Sequence, residues 1–200
     1  MNDRDLVFHG LAVKRHAAPP AVASLVGIDA ARVKSLLVEA VAGGRAIEAK
    51  GGYALTPLAR LALEGRYSFH FAPLRKNEGF VAAYESFERI NRTLKQVITD
   101  WQTIEVAGER VANVHTDPTH DEAVMDRLAG VHEQVETVLQ ALAGPLPRMR
   151  IYQQKLLAAL EAAEDGDREW VSDVRRESYH TVWFELHEDL LRIMGRAREE

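Results

Sequence analysis

PPAVASLVGIDAARVKSLLVEAVAGGRAIEAKGGYALTPLARLAL, residues 19–63, decides how the chain begins to fold. Pro19 and Pro20 open a short helix, because a proline at the first helical position gives up an amide that has no intrahelical partner. That helix is expected over residues 21–26. Gly27 makes the turn, Ile28 is the expected buried plug, and Asp29 caps the next helix by accepting from its first-turn amides. On this second helix Val33, Leu36, Leu37, Ala40 and Val41 recur at helical spacing and face inward. Ala31, Arg32, Lys34, Ser35, Val38 and Glu39 are left on the outer side. Gly43-Gly44 stops it. Residues 45–49 and 53–55 flank a Lys50-Gly51-Gly52 turn and read as a hairpin, since glycine accepts positive φ at little steric cost. A new helix starts at Thr56.

Helix, tight turn, helix, hairpin and helix in this order read as a winged helix-turn-helix. The outer side of the second helix is the candidate recognition face and the hairpin the candidate wing. Arg32, Lys34 and Ser35 are expected to meet base edges or phosphates, and Arg45 and Lys50 to touch the backbone of double-stranded DNA from the wing. The run GGRAIEAKGGYALTPLAR, residues 43–60, resembles the wing and following helix of MarR-type bacterial regulators, in which an L-T-P-x-G/A-R segment starts the helix. The resemblance covers only the N-terminal part of the chain. Lys50 and Arg45 are the only cations of this short wing.

Length and charge frame the rest. At 200 residues and 22.4 kDa, with 46% hydrophobic content, the chain can hold one sizeable core or two small ones. The absence of cysteine excludes a disulfide framework, a thiol nucleophile and Cys-ligated metal sites. No apolar run approaches the length of a signal or membrane segment, so the expected location is the cytoplasm, with no membrane partner. Residues 1–66 carry nine Lys/Arg against six Asp/Glu, and residues 67–200 carry sixteen against twenty-four. A basic head on an acidic body fits nucleic-acid contact confined to the head.

Asp5–His16 places Leu6, Gly10, Val13 and Ala17 on one face and reads as the first helix of the head. His9 and His16 receive no role. RYSFHFAP, residues 66–73, breaks the pattern and reads as a packed connector. From Asn77 to Gln102, Phe80, Tyr84, Phe87, Leu94, Ile98 and Trp101 follow steps of four and three, with Asn91 in the one polar slot. Such an Asn either fixes register, satisfied by a neighbour, or serves an effector pocket. HTDPTHD, residues 115–121, is explained by Asp117 capping a helix that Pro118 opens. A metal cluster of His115, Asp117, His120 and Asp121 is the sharper alternative.

Helices follow over residues 122–143 and 148–163, with inward Val124, Leu128, Val131, Val135, Val138, Leu139 and Leu142, then Met149, Tyr152, Leu156, Leu157 and Leu160. The last helix, expected from Asp173 to Arg196, contains SYHTVWFELHEDLL. Its His180, Trp183, Phe184, His187, Leu190 and Leu191 share a side, and Glu185, Glu188 and Arg192 fall away from it. Histidines among aromatics on an apolar face belong either to packing or to a small-ligand pocket, for which Asn91, Trp101, His180, Trp183 and His187 are the candidates. TDWQ at residues 99–102 and this tail are similar to bacterial winged-helix proteins of unknown ligand and to tails on pyruvate phosphate dikinase-like chains.

No G-x-S-x-G elbow, Gly-rich phosphate loop or H-E-x-x-H occurs, so an enzyme is not expected and no cofactor is assigned. The expected fold is mainly α. Residues 1–66 form the winged helix-turn-helix and residues 67–200 an all-α helical bundle for dimerisation and an effector. The expected function is that of a DNA-binding transcriptional regulator working as a homodimer with a possible small-molecule effector. The alternative is a winged helix used as a protein-interaction module accessory to a metabolic enzyme.

Overall fold

In the computed structural model, which describes residues 1–197, the chain is mainly helical with two small antiparallel hairpins. Asn2 caps α1 (Asp3–Lys14) by accepting from the Asp5 amide. Helix α2 (Pro19–Val26) holds both prolines in its first turn and ends at Gly27, whose φ of 71° is the left-handed conformation that favours glycine. Helix α3 (Ala30–Ala42) follows, and the Asp29 carboxylate accepts from the Ala31 and Arg32 amides at 2.9 and 3.1 Å. Val33, Leu36, Leu37 and Ala40 are buried, and the six residues read as outward are exposed. Two inward expectations fail. Ile28 sits in the turn itself and is half-buried, and Val41 lies in the last turn beside the Gly43-Gly44 exit and stays at the surface.

Strands β1 (Ala46–Ala49) and β2 (Gly52–Leu55) pair antiparallel with Ala49 opposite Gly52, so the turn is only Lys50-Gly51. Their φ values of 50° and 76° supply the two positive-φ positions that a type I′ hairpin turn requires. A further segment joins the edge: Ala17 exchanges two backbone hydrogen bonds with Tyr53, at 2.9 and 3.1 Å. Gly52 permits this approach, because a Cβ there would come within 2.6 Å of the His16 ring. Thr56 caps α4 (Pro57–His70), its Oγ1 accepting from the Ala59 amide and donating to the Arg45 carbonyl, which ties the helix to the hairpin. The connector expected at residues 66–73 is corrected. Nothing before Pro73 breaks the helix, since an isolated Gly65 is tolerated, and α4 runs on to His70. Phe71 is buried and Phe69 exposed, and a short α5 (Ala72–Arg75) follows.

These elements, with residues 185–197, make one compact unit, and Gly79–Phe184 makes the other. The second unit is built on α6 (Glu78–Gln102). Phe80, Tyr84, Phe87, Asn91, Leu94, Ile98 and Trp101 are all buried along it, as the steps of four and three require. Full burial of one such Leu or Phe is worth about 1.5–3 kcal/mol. The expectation of an all-α bundle is corrected here. Strands β3 (Thr103–Val106) and β4 (Glu109–Ala112) form a second hairpin around Ala107-Gly108, again with positive φ at both turn positions. Neither strand has a buried residue; Thr103–Val106 alternates over only four residues and Glu109–Ala112 does not alternate, too little to mark a strand.

Helix α7 (Pro118–Ala143) starts at the Asp117 cap, and α8 (Arg150–Glu164) follows a 3-10 turn at Pro147–Met149. Their expected inward residues are buried except Leu157, which is exposed. After α9 (Glu169–Ser172), α10 covers Tyr179–Met194. It starts later than Asp173 because the Asp173 carboxylate is taken up by Arg175, while the Ser178 hydroxyl accepts from the Thr181 amide and opens the helix. The expected split of α10 into an apolar and a charged side also fails: Glu185 and Asp189 are buried, as are Trp183 and His187. Its residues from Glu185 onward belong to the first unit, where Lys14 Nζ meets Glu185 Oε1 at 2.7 Å. Among the described residues no helix is long and apolar enough to cross a membrane.

Candidate nucleic-acid interface and buried polar clusters

The outer face of α3 is held open by local chemistry. Asp29 fixes its first turn, and the buried row from Val33 to Ala40 fixes its rotation, so Arg32, Lys34 and Ser35 face solvent. Lys34 lines a groove of about 420 Å³ together with Pro19, Pro20, Ala31, Glu48, Gly51 and Tyr53. The groove thus joins α3 to the β1–β2 hairpin. Arg32 lies on another side of the helix, with its Nε 3.5 Å from the Asp3 carboxylate, and the Ser35 hydroxyl donates to Glu39 at 3.4 Å. Lys50 occupies the hairpin turn. Arg45 is exposed, but its guanidinium folds over Gly43 at the far end of α3, so the four cations and the Ser35 hydroxyl do not form one cluster.

The ligand residues suggested by the sequence separate. Asn91 Oδ1 accepts from the Trp183 indole N–H at 2.9 Å, and both are buried. Phe87 stacks on Trp183 with centroids 5.0 Å apart, and Tyr179 lies 6.1 Å away near parallel. The Asn91 amide oxygen therefore has a partner within the protein. Behind Tyr179, its hydroxyl stands 3.3 Å from His132 Nδ1. Burial pushes the Tyr179 hydroxyl up and the His132 imidazole down, so both favour their neutral forms. Trp101 packs elsewhere, 4.5 Å from the His115 ring. His180 is half-buried and His187 is buried.

Of the residues read as a metal cluster, two meet. His115 Nδ1–H donates to Asp121 Oδ1 at 3.0 Å, and Asn113 donates to the same oxygen at 3.1 Å. Burial alone would raise the Asp121 carboxyl, but the hydrogen bonds from His115 and Asn113 outweigh it and hold the group below its ordinary value. His120 turns away to donate to the Asp100 carbonyl, and Asp117 is occupied as the α7 cap. Among the described residues no group of three or more His, Cys, Asp or Glu is arranged to hold a metal ion.

One polar cluster had no sequence signal. His9, which received no role, is buried on α1, with Nε2–H donating to Asp189 Oδ1 at 2.8 Å and Nδ1 2.9 Å from the Tyr67 hydroxyl. Its partners lie 180 and 58 residues away, beyond any local pattern. No protein-family model, no curated protein and no solved structure matches the chain.

Proposed function

We propose that the chain is a DNA-binding transcriptional regulator that works as a homodimer, with its first elements acting as a MarR-like winged helix-turn-helix. The observation that carries this reading is the groove in which Lys34 of α3 and the Gly51 turn of the hairpin lie together. A helix capped at its start, exposed along one side and flanked by a short hairpin suits a major groove with a wing on the adjacent backbone. Two copies would present two such faces. Helix α4 supplies a surface for pairing, since Leu58, Leu61 and Phe69 on it are exposed at 77%, 67% and 81%. A small-molecule effector would act by favouring one spacing of the two faces over the other.

Fluorescence anisotropy against the protein's own upstream DNA and a random duplex, across a salt series, tests the reading. Arg32, Lys34 and Lys50 from two copies neutralise about six phosphates, which gives a slope of about −5 and a loss of roughly a thousandfold between about 50 and 200 mM salt. Arg32→Ala with Lys34→Ala is expected to abolish binding with the far-UV circular dichroism unchanged. Unchanged affinity in that variant overturns the proposed face.

A second reading has its own observation. Val38 and Val41 on α3 and Ile47 on β1 are exposed apolar side chains in the very elements that would read DNA. They suit a protein partner better than a phosphate backbone. A protein that co-purifies with the chain through these residues, with no DNA retained, would support the interaction module.

A further inference from the structure

The first unit contains a cavity of about 470 Å³ that the sequence did not suggest. Arg15 just past α1, Arg75 of α5, Arg192 of α10 and Arg196 just past α10 all line it, with two carboxylates among the described residues, Glu64 and Glu188. Among the described residues, four arginines and two carboxylates line the concavity, an excess of two positive charges. Leu191 and Tyr67 also line it.

Two of the arginines, Arg75 and Arg192, are held in place by the fold. Arg192 donates to Glu64 at 3.2 Å and to Glu188 at 2.7 Å, yet its Nε is buried with no hydrogen-bond acceptor. Burial alone would lower the Arg192 guanidinium, but Glu188, Tyr67 and Glu64 outweigh it, so the cation is retained. Arg75 donates to the Ile193 carbonyl at 2.6 Å and to the Arg192 carbonyl at 3.3 Å. Its guanidinium can lie this close because Gly195 has no side chain: a Cβ there would come within 2.9 Å of it. The Tyr67 hydroxyl is tethered from behind through His9 to Asp189.

From this arrangement we propose that the cavity is a binding site for a small organic anion bearing a carboxylate or a phosphate. A guanidinium presents a planar fork that matches either oxyanion, and a charge-assisted pair of that kind is stronger and more directional than an ammonium contact. The anion offsets the excess positive charge and supplies an acceptor where donors converge. The volume falls in the range of small-ligand sites, about 300–1,000 Å³. The proposal stands on these residues alone and does not depend on whether α3 binds DNA.

Isothermal titration calorimetry of the full chain with inorganic phosphate, with succinate, and with choline as the cationic control tests it. Phosphate or succinate is expected to bind at millimolar concentration, and which of the two binds more tightly identifies the oxyanion; choline is expected to give no heat of binding. Arg196→Ala, at an exposed position, and Arg192→Lys, which keeps the charge and loses the fork, are each expected to weaken the anion by at least about tenfold, the scale of one lost charge-assisted hydrogen bond. The melting temperature without ligand reports whether Arg192→Lys is folded, and Arg196→Ala carries the test if it is not. Binding is expected to persist in the Arg32→Ala, Lys34→Ala variant, which separates this site from the α3 face. No binding of either anion, binding indifferent to the Arg196 and Arg192 substitutions, or binding lost with Arg32 and Lys34 overturns the proposal.

Discussion

Replacing Asn91 is the most informative single perturbation of the second unit. Its amide oxygen accepts the Trp183 indole N–H at 2.9 Å, where both residues are buried and Phe87 stacks on the indole. Asn91→Leu keeps a side chain of similar size and removes the acceptor. The orphaned N–H then costs about 1–3 kcal/mol, because a buried donor loses its partner without regaining water. For a chain of this length each kcal/mol lowers the melting temperature by about 2–4 °C, so a drop of roughly 2–12 °C is expected in thermal unfolding followed by far-UV circular dichroism. Trp183→Phe in the same background removes the donor and should recover much of the loss, with a coupling of about 1–2 kcal/mol in the double-mutant cycle. If Asn91→Leu leaves the melting temperature where it was, the hydrogen bond does not hold α6 to α10. The Asn91 amide would then return to the effector-pocket reading.

Three further outcomes are expected. Asp29→Ala removes the acceptor for two first-turn amides of α3 and should cost about 1 kcal/mol, read as a shift in the urea midpoint with unchanged slope. His132 is held below its ordinary value of 6.5 by burial, so between that value and its lower folded value the unfolded chain binds more protons. Stability should therefore fall as pH drops below about 6.5, and His132→Gln should flatten that part of the pH profile; an identical profile in the variant would refute the assignment. Leu61→Glu with Phe69→Glu should turn a dimer into a monomer in sedimentation equilibrium, and a dimer that survives both charges does not pair through α4.

Local signals made much of the chain legible. Asp29 and Asp117 each cap the helix that the sequence assigned to them, since a cap needs only a side-chain oxygen two or three residues from the amides it accepts, and the helix expected to start at Thr56 is capped by that residue. The buried rows of α3, α6 and α7 were legible for the same reason: helical spacing alone sets which side chains share a face. The β3–β4 hairpin was not legible, because its one alternating stretch, Thr103–Val106, is only four residues long and the Ala107-Gly108 turn is a weak signal beside Asn-Gly.

The sequence by itself therefore determined the order of elements from α1 to α4, the outward side of α3 and the apolar seam of α6. Only the tertiary structure decided what the polar groups within the core do. Asn91 finds Trp183 at a separation of 92 residues, His9 finds Asp189 at 180, and the arginines of the cavity come from α1, α5 and α10. A buried polar group must be paired, and its partner is whichever complementary group the packing brings within about 3 Å, a matter of distance in space that spacing along the chain does not encode.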